Sequence, residues 1–479
     1  MYGTRFSPSL SFISATTRLV NGERLINNIG KPRHILVRAS LALCLIIQLA
    51  GCASNATVVN NPLAQQAPES SYSLQAFTER FRRGETSFLL AFSGGGTRAA
   101  ALSYGVLKAL NDTFVETQSG PRPLIDSVDL ISSVSGGSFT SAYYGLYGEQ
   151  IFDKFESDFL RKNVQGALIN RLVNPFNWFH IGDRTEWAIN YYDQNVFKGA
   201  RFSDLQKAGG PLIFINASDI EGGVGFWFTQ DHFDLLCSDL SNFPVARAVA
   251  ASSAVPGLFA PVVLQNFDDC QTENRQLIER AQAVAAQRPE LKLELAGLES
   301  YADKERRLYI HLVDGGITDN LGLRGIYAIN QLSGGLASRL KQRDIEPPRR
   351  IVVLSVDAST EPEYEMSRSK QVPPISEVIS AISGVQLHRY NAATNSLIER
   401  ALLEWRDELS AEGHTPETYY IRLDLGQETD PQKRDFLNRI PTSFSLTDEQ
   451  VDVLIETGGA LLRSNPEFRR LAVDAGLTL

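Results

Sequence analysis

Three apolar runs in this chain stop abruptly at small or reactive residues. Ser87-Phe88-Leu89-Leu90-Ala91-Phe92 runs into Ser93-Gly94-Gly95-Gly96-Thr97-Arg98, residues 128–134 run into Ser135-Gly136-Gly137-Ser138, and residues 308–313 run into Asp314-Gly315-Gly316. A short apolar run closed by glycine reads as a buried strand ending in a tight turn. The first run is followed by Leu102, Val106, Ala109 and Leu110 at helical spacing, and the second by an aromatic, small-residue helix holding Tyr143, Tyr144 and Leu146. Strands that alternate with helices build layered α/β folds, in which the chemistry gathers at strand ends.

Each turn carries its own chemistry. Backbone N–H groups of the glycine loop, exposed at a helix N-terminus, can hold an anion. Because Gly94-x-Gly96-x-x-Ala99 also fits a dinucleotide fingerprint, that anion could be a pyrophosphate or an oxyanion. Ser133-Val134-Ser135-Gly136-Gly137 reads as a nucleophile elbow, where small neighbours let Ser135 sit exposed on a sharp turn and the N–H of Gly136 adds a donor. The same residues would also make a plain helix-capping turn. Asp314 is placed to be a base reaching Ser135 from an adjacent strand, or to cap the amides of its own turn.

Taken in order, Gly94-Gly95-Gly96-Thr97-Arg98, Ser133-Val134-Ser135-Gly136-Gly137 and Asp314-Gly315-Gly316 resemble the motifs of the patatin-like phospholipases, and residues 250–261 resemble the stretch between elbow and base. The resemblance runs from about Phe88 to Asn320. It implies a three-layer α/β/α sandwich of the patatin-like type with a Ser nucleophile elbow. It also implies a Ser–Asp dyad, with Ser135 as nucleophile and Asp314 as base, and an oxyanion hole from the N–H groups of Gly94, Gly95 and Gly96. Arg98 is carried over as a residue that holds the loop, with a solvated side chain as the alternative. Ser133 departs from the pattern by replacing the first glycine of the elbow. A Ser-Asp-His triad would need a His after Asp314; His388 and His414 qualify by position, but one falls in a helical stretch and the other in a polar loop. His311 lies within the strand and reads as a packed side chain. The implied activity is phospholipase A-type hydrolysis of membrane phospholipids or other lipid esters, with no cofactor and no metal. The rivals are a catalytically silent lipid-binding or scaffold envelope lipoprotein and, more remotely, a nucleotide-binding protein.

The amino terminus is an address. A basic segment from Lys31 to Arg38 precedes an apolar run over residues 39–50 that is shorter than the roughly 20 residues of a membrane span. Leu49-Ala50-Gly51-Cys52 resembles the lipobox of bacterial lipoproteins, which implies cleavage of a signal peptide (1–51, with an extended N-region), acylation of Cys52 and a lipid-anchored place in the bacterial cell envelope. Ala53 favours the outer membrane. Residues 52–71 then form the lipidated Cys and a polar flexible tether, and residues 72–479 the hydrolase domain. Of the 4 Cys, Cys44 leaves with the signal and Cys52 is acylated, so Cys237 and Cys270 remain to pair as a disulfide in an oxidising compartment.

With 479 residues, a net charge of −9 and 43% hydrophobic residues, the chain can bury a large core and is a poor partner for nucleic acid. The charged stretch 271–307 reads as a solvated helical insert before the base strand, and Phe226-Trp227-Phe228 as a strand. Trp178 reads as an interfacial aromatic, and Thr447-Asp448-Glu449-Gln450 as the capping box of a helix in the C-terminal helical region.

Overall fold

The computed structural model describes residues 56–63, 71–74, 85–164, 166, 181–268, 270, 274–332, 334–361 and 366–479. The signal segment, Cys52, most of the tether and Trp178 lie outside the described residues.

An eight-stranded mixed sheet flanked by helices forms the body of the protein. Its strands are β1 (Thr86–Phe92), β2 (Leu130–Val134), β3 (Leu212–Asp219), β4 (Val224–Trp227), β5 (Val262–Gln265), β6 (Tyr309–Asp314), β7 (Arg350–Asp357) and β8 (Glu417–Asp424). Their order across the sheet is β8-β7-β1-β2-β3-β6-β5, with β4 paired to β3. From β8 to β3 all neighbours are parallel. Helices then cover both faces, so β2, β3 and β7 are buried almost throughout and their sequences are near-continuous apolar runs. β6 breaks this rule by pairing antiparallel with β3 on one side and β5 on the other.

Register places the reactive residues. Val134 pairs with Asn216, so Ser135 stands one residue on, level with Ala217; Ala217 pairs with Asp314. Ser135 and Asp314 therefore flank β3 in one row. The expectation of adjacent strands is corrected here: β3 lies between the two, and β6 runs against it, which lets a reversed strand deliver its last residue to the level of Ser135.

The stretch 271–307 is corrected as well. Its helices, α4 (Asn274–Gln287) and α5 (Pro289–Ser300), bury Ala281, Ala285, Leu291, Leu295 and Leu298 at three- and four-residue spacing, with Tyr301 fully buried just beyond. α5 packs against β4. In chain order the remaining helices used below are α1 (Gly96–Asn111), α2 (Gly136–Tyr147), α3 (Val245–Ser252), α6 (Gly316–Asp319), α7 (Arg324–Leu332), α8 (Leu336–Gln342), α9 (Ile375–Ala411) and α10 (Asp448–Ser464). α10 opens with the capping box: the Gln450 N–H donates to Thr447 Oγ1 at 3.2 Å and the Thr447 N–H to Gln450 Oε1 at 3.0 Å. It lies against α1.

Candidate active site

Ser135 joins β2 to α2 at φ 49°, ψ −118°, a conformation costing a non-glycine residue about 1–3 kcal/mol. The surroundings hold it there. Its N–H donates to Ser252 Oγ at 2.8 Å, and Ser252 Oγ donates its one proton to the Asn216 carbonyl at 2.6 Å. Ser138 Oγ, 3.0 Å from Ser252 Oγ, must then be the donor of that pair. Gly136 presses so closely on the glycine loop that a Cβ there would stand 1.9 Å from the Gly96 carbonyl oxygen, so only glycine fits. Ser133, where the family pattern has glycine, is accommodated by its own bonds: its hydroxyl lies 2.6 Å from Ser141 Oγ and 3.2 Å from the Phe214 carbonyl.

The glycine loop differs from expectation at its first residue. Gly94 donates its N–H to the Asn320 carbonyl at 3.1 Å, so that amide is already engaged. Thr97 is engaged too, donating to the Ser443 carbonyl at 2.8 Å. Among the described residues the amides of Gly95, Gly96 and Gly136 meet no acceptor. The free donor set is therefore Gly95, Gly96 and Gly136, with Gly95 at φ 142° and Gly96 at φ 61°. Arg98 is not solvated. It is buried, and donates to the carbonyls of Ala358 (2.8 Å) and Ile440 (2.5 Å) and to Thr442 Oγ1 (3.0 Å), clamping the start of α1 to segments far along the chain.

Asp314, only 9% exposed, ends β6. Burial pushes its carboxyl up to about 6, while the Gly316 N–H (2.8 Å from Oδ1) and the Ser135 side chain hold it down. Its backbone N–H donates to the Ala254 carbonyl at 3.0 Å, and the next N–H, of Gly315, to the Ser252 carbonyl at 3.2 Å. Residues 252–254 thus bind both sides of the site: Ser252 fixes Ser135 through its side chain and Gly315 through its backbone. Sequence reasoning singled out this stretch by resemblance and gave Ser252 no role. Its signal was a polar pair, Ser252-Ser253, inside an alanine-rich run that the structure buries.

Among the described residues no histidine joins these groups. His388 is half-buried on α9, His414 is exposed, and His311 sits in β6 paired with Val263; none contributes to the environment of Asp314. Asp357 accepts from Asn391 (3.1 Å) and the Ser359 N–H (2.9 Å), away from the row. Cys237 and Cys270 are joined by a disulfide, Cα to Cα 5.3 Å, enclosing α3 and Ser252. Among the described residues no group of three or more His, Cys, Asp or Glu is placed to hold a metal ion.

Residues 90–326 match the family described as Patatin-like phospholipase. Among solved structures the chain is similar to human GIVD cytosolic phospholipase A2, at 12% identity over 88% of this chain and 66% of that one, with a TM-score of 0.42. It is similar to the same human enzyme in complex with methyl gamma-linolenyl fluorophosphonate and terbium chloride (13% identity, 84% and 64% covered, TM-score 0.31). It is similar as well to VipD from Legionella pneumophila (11% identity, 89% and 77% covered, TM-score 0.26). The chain spans just under two thirds of the length of the two human structures. No curated protein matches it in sequence. With the glycine loop, Ser135, the 252–254 brace and Asp314 all inside the matched residues, this chain carries a domain of the patatin-like phospholipase family, a family of lipid hydrolases.

Proposed function

We propose that this protein is a phospholipase A-type acyl hydrolase that cleaves carboxylic esters of membrane lipids through a Ser135–Asp314 dyad and an acyl-enzyme. The observation that carries the reading is the single row of Ser135, Ala217 and Asp314, with both reactive residues tied to residues 252–254. In the first half-reaction Asp314 takes the proton of the Ser135 hydroxyl as Oγ attacks the ester carbonyl. The developing oxyanion is taken by the N–H groups of Gly95, Gly96 and Gly136, and the alcohol leaves with the proton from Asp314. In the second, Asp314 takes a proton from water, which attacks the acyl-enzyme; the bond from the acyl carbon to Ser135 Oγ breaks, Oγ takes the proton back from Asp314, and the carboxylic acid is freed. A carboxylate is a weak base for a hydroxyl, and burial raises this one toward the working pH.

Exposed apolar side chains beside the site and further along α9 suit a lipid surface. Ile317 on α6, Val255 and Leu258 just after the brace, and Ile375, Ile382 and Val385 on one stripe of α9 are all exposed. α9 reaches the site through Asn391, whose Oδ1 lies 3.5 Å from Asn320 Nδ2. With a net charge of −9, contact with lipid would rest on these apolar residues and on an acylated Cys52 at the outer membrane of the cell envelope rather than on basic side chains.

Turnover of a phospholipid, a lysophospholipid and a simple ester, with Ser135→Ala as control, tests the reading, together with labelling by a fluorophosphonate. Hydrolysis and a label that both vanish in Ser135→Ala are expected. A parent protein that neither turns over nor labels would be the silent scaffold instead.

A further inference from the structure

Asn320 stands just beyond α6, and the site as described so far uses only its backbone carbonyl, which holds the Gly94 N–H. Its side chain ends a relay of amides that begins at β7. The Asp357 carboxylate can only accept, so the group of Asn391 that lies 3.1 Å from Asp357 Oδ2 is its Nδ2. That leaves Asn391 Oδ1 as the acceptor facing Asn320, whose Nδ2 donates to it at 3.5 Å. Asn320 Oδ1 is thereby turned the other way.

It faces the proposed dyad. Asn320 Oδ1 stands 2.7 Å from the place a Cβ on Gly94 would take and 3.1 Å from the corresponding place on Gly316. The first place is 3.4 Å from Ser135 Cβ, and the second is 3.0 Å from Asp314 Oδ1. The amide oxygen therefore lies within about 6 Å of both side chains, a gap that one water molecule spans with two hydrogen bonds. Among the described residues Asn320 Oδ1 accepts no hydrogen bond, and unlike Asn216 Oδ1 and Asp319 Oδ1 it is not sealed from solvent.

We propose that Asn320 orients the water of the second half-reaction, and so favours hydrolysis over transfer of the acyl group to an alcohol. The inference rests on the dyad reading above. Water gives one proton to Asp314 as its oxygen bonds to the acyl carbon. Its other hydrogen is held by Asn320 Oδ1 and stays on the product acid when the bond to Ser135 Oγ breaks and Oγ takes the proton back from Asp314. An alcohol has one hydroxyl hydrogen, which Asp314 takes. Its alkyl group would then lie against Asn320 Oδ1 and leave that oxygen without a donor. Asn391 serves the same step as a positioning residue, by keeping the Asn320 amide from turning over.

The test lets the full chain turn over a soluble ester in water containing ethanol and measures the ratio of free acid to ethyl ester. That ratio is decided after the acyl-enzyme has formed, so it is blind to substrate binding and to the first half-reaction. Asn320→Leu keeps the shape without the polar atoms and is expected to shift the ratio toward the ethyl ester by about 10-fold, the worth of one hydrogen bond. It should slow fluorophosphonate labelling of Ser135 far less than it slows hydrolysis, whereas a merely structural role would slow both and leave the ratio alone. Asn391→Leu is expected to move the ratio the same way by about threefold, and carries the test should Asn320→Leu fail to fold. Thr394→Val removes the 2.8 Å bond from Arg324 Nε to α9 and no part of the relay, so it should leave the ratio in place. A parent that labels and turns over, with a ratio that neither Asn variant moves, overturns this inference and leaves the dyad standing. An equal shift in Thr394→Val overturns it as well, by assigning the effect to the seating of α9. A parent that neither labels nor turns over overturns the dyad reading and this inference together.

Discussion

The two residues of the proposed dyad stand on unlike halves of one sheet. Ser135 ends a strand of the parallel half, β8-β7-β1-β2-β3, and its position is made locally: a strained turn, a glycine that cannot be anything else, and a hydroxyl brace. Asp314 belongs to the antiparallel half, where β6 gains its place only by pairing with β3 and β5. The proposed nucleophile is thus set by a turn, and the proposed base by tertiary register. Residues 252–254 are where the two meet.

The largest break in that comparison is Asp314→Asn, which keeps the shape and removes the base. A loss of about 10⁴-fold in turnover is expected. The parent's rate should climb through about pH 6, since the base works only when ionised and burial has raised it to that value. Stability moves the other way. The folded carboxyl titrates near 6 rather than at its ordinary 3.8, so its favourable contribution is present below pH 4 and is lost as pH rises through 6. At pH 7.5 the Asn variant should melt no lower than the parent, and at pH 4 any advantage should disappear. A rate flat from pH 5 to 8 would remove Asp314 from the mechanism.

The antiparallel half has a covalent tie that the parallel half lacks. Replacing Cys237 and Cys270 by Ser opens a loop of sequence separation 33 and should cost about 3–4 kcal/mol, read as a lower urea midpoint. If register in this half positions the base, turnover measured well below that midpoint should fall as well. Unchanged stability would mean that β5–β6 pairing suffices alone.

How far the sequence could be read follows the same division. β1 and β2 are largely buried and run into glycine turns, so residues 86–98 and 130–138 announce strand, turn and helix in one stretch of chain. The reversal of β6 and the insertion of β3 between Ser135 and Asp314 had no such local trace, because pairing partners brought in after long insertions are chosen by the folded core. The engagement of the Gly94 amide has no local trace either. Its acceptor is a backbone carbonyl, Asn320, and a carbonyl has no letter in a sequence. Arg98 could be read as a clamp only by resemblance, since Ile440 and Thr442 lie in a segment without a motif. The buried faces of α4 and α5, by contrast, were legible in their spacing and were hidden only by the charge around them.

Ser252→Ala tests the seam between the halves. It leaves the Ser135 N–H and one lone pair of the Asn216 carbonyl without their partner, an expected cost of about 1–3 kcal/mol in stability. The turn that aims the nucleophile loosens with it, so kcat should fall about 10- to 100-fold with KM little changed. A rise in KM alone would place Ser252 with substrate contacts rather than with the nucleophile.

The smallest effect is expected at Ser133, where the parallel half departs from its family's glycine. Ser133→Gly loses the bonds to Ser141 and Phe214, together worth about 1–2 kcal/mol if both are replaced by nothing. It also adds a glycine's backbone freedom to a buried strand. Against this, the strand ladder to β3 is untouched, and the turn at Ser135 is held by Ser252 and Gly136, neither of which touches the Ser133 hydroxyl. The variant should lose melting temperature by a few degrees and keep turnover within about threefold. A tenfold loss of turnover at unchanged stability would show that the Ser133–Ser141 pair helps to aim Ser135, and the nucleophile's position would then be less local than the turn alone makes it.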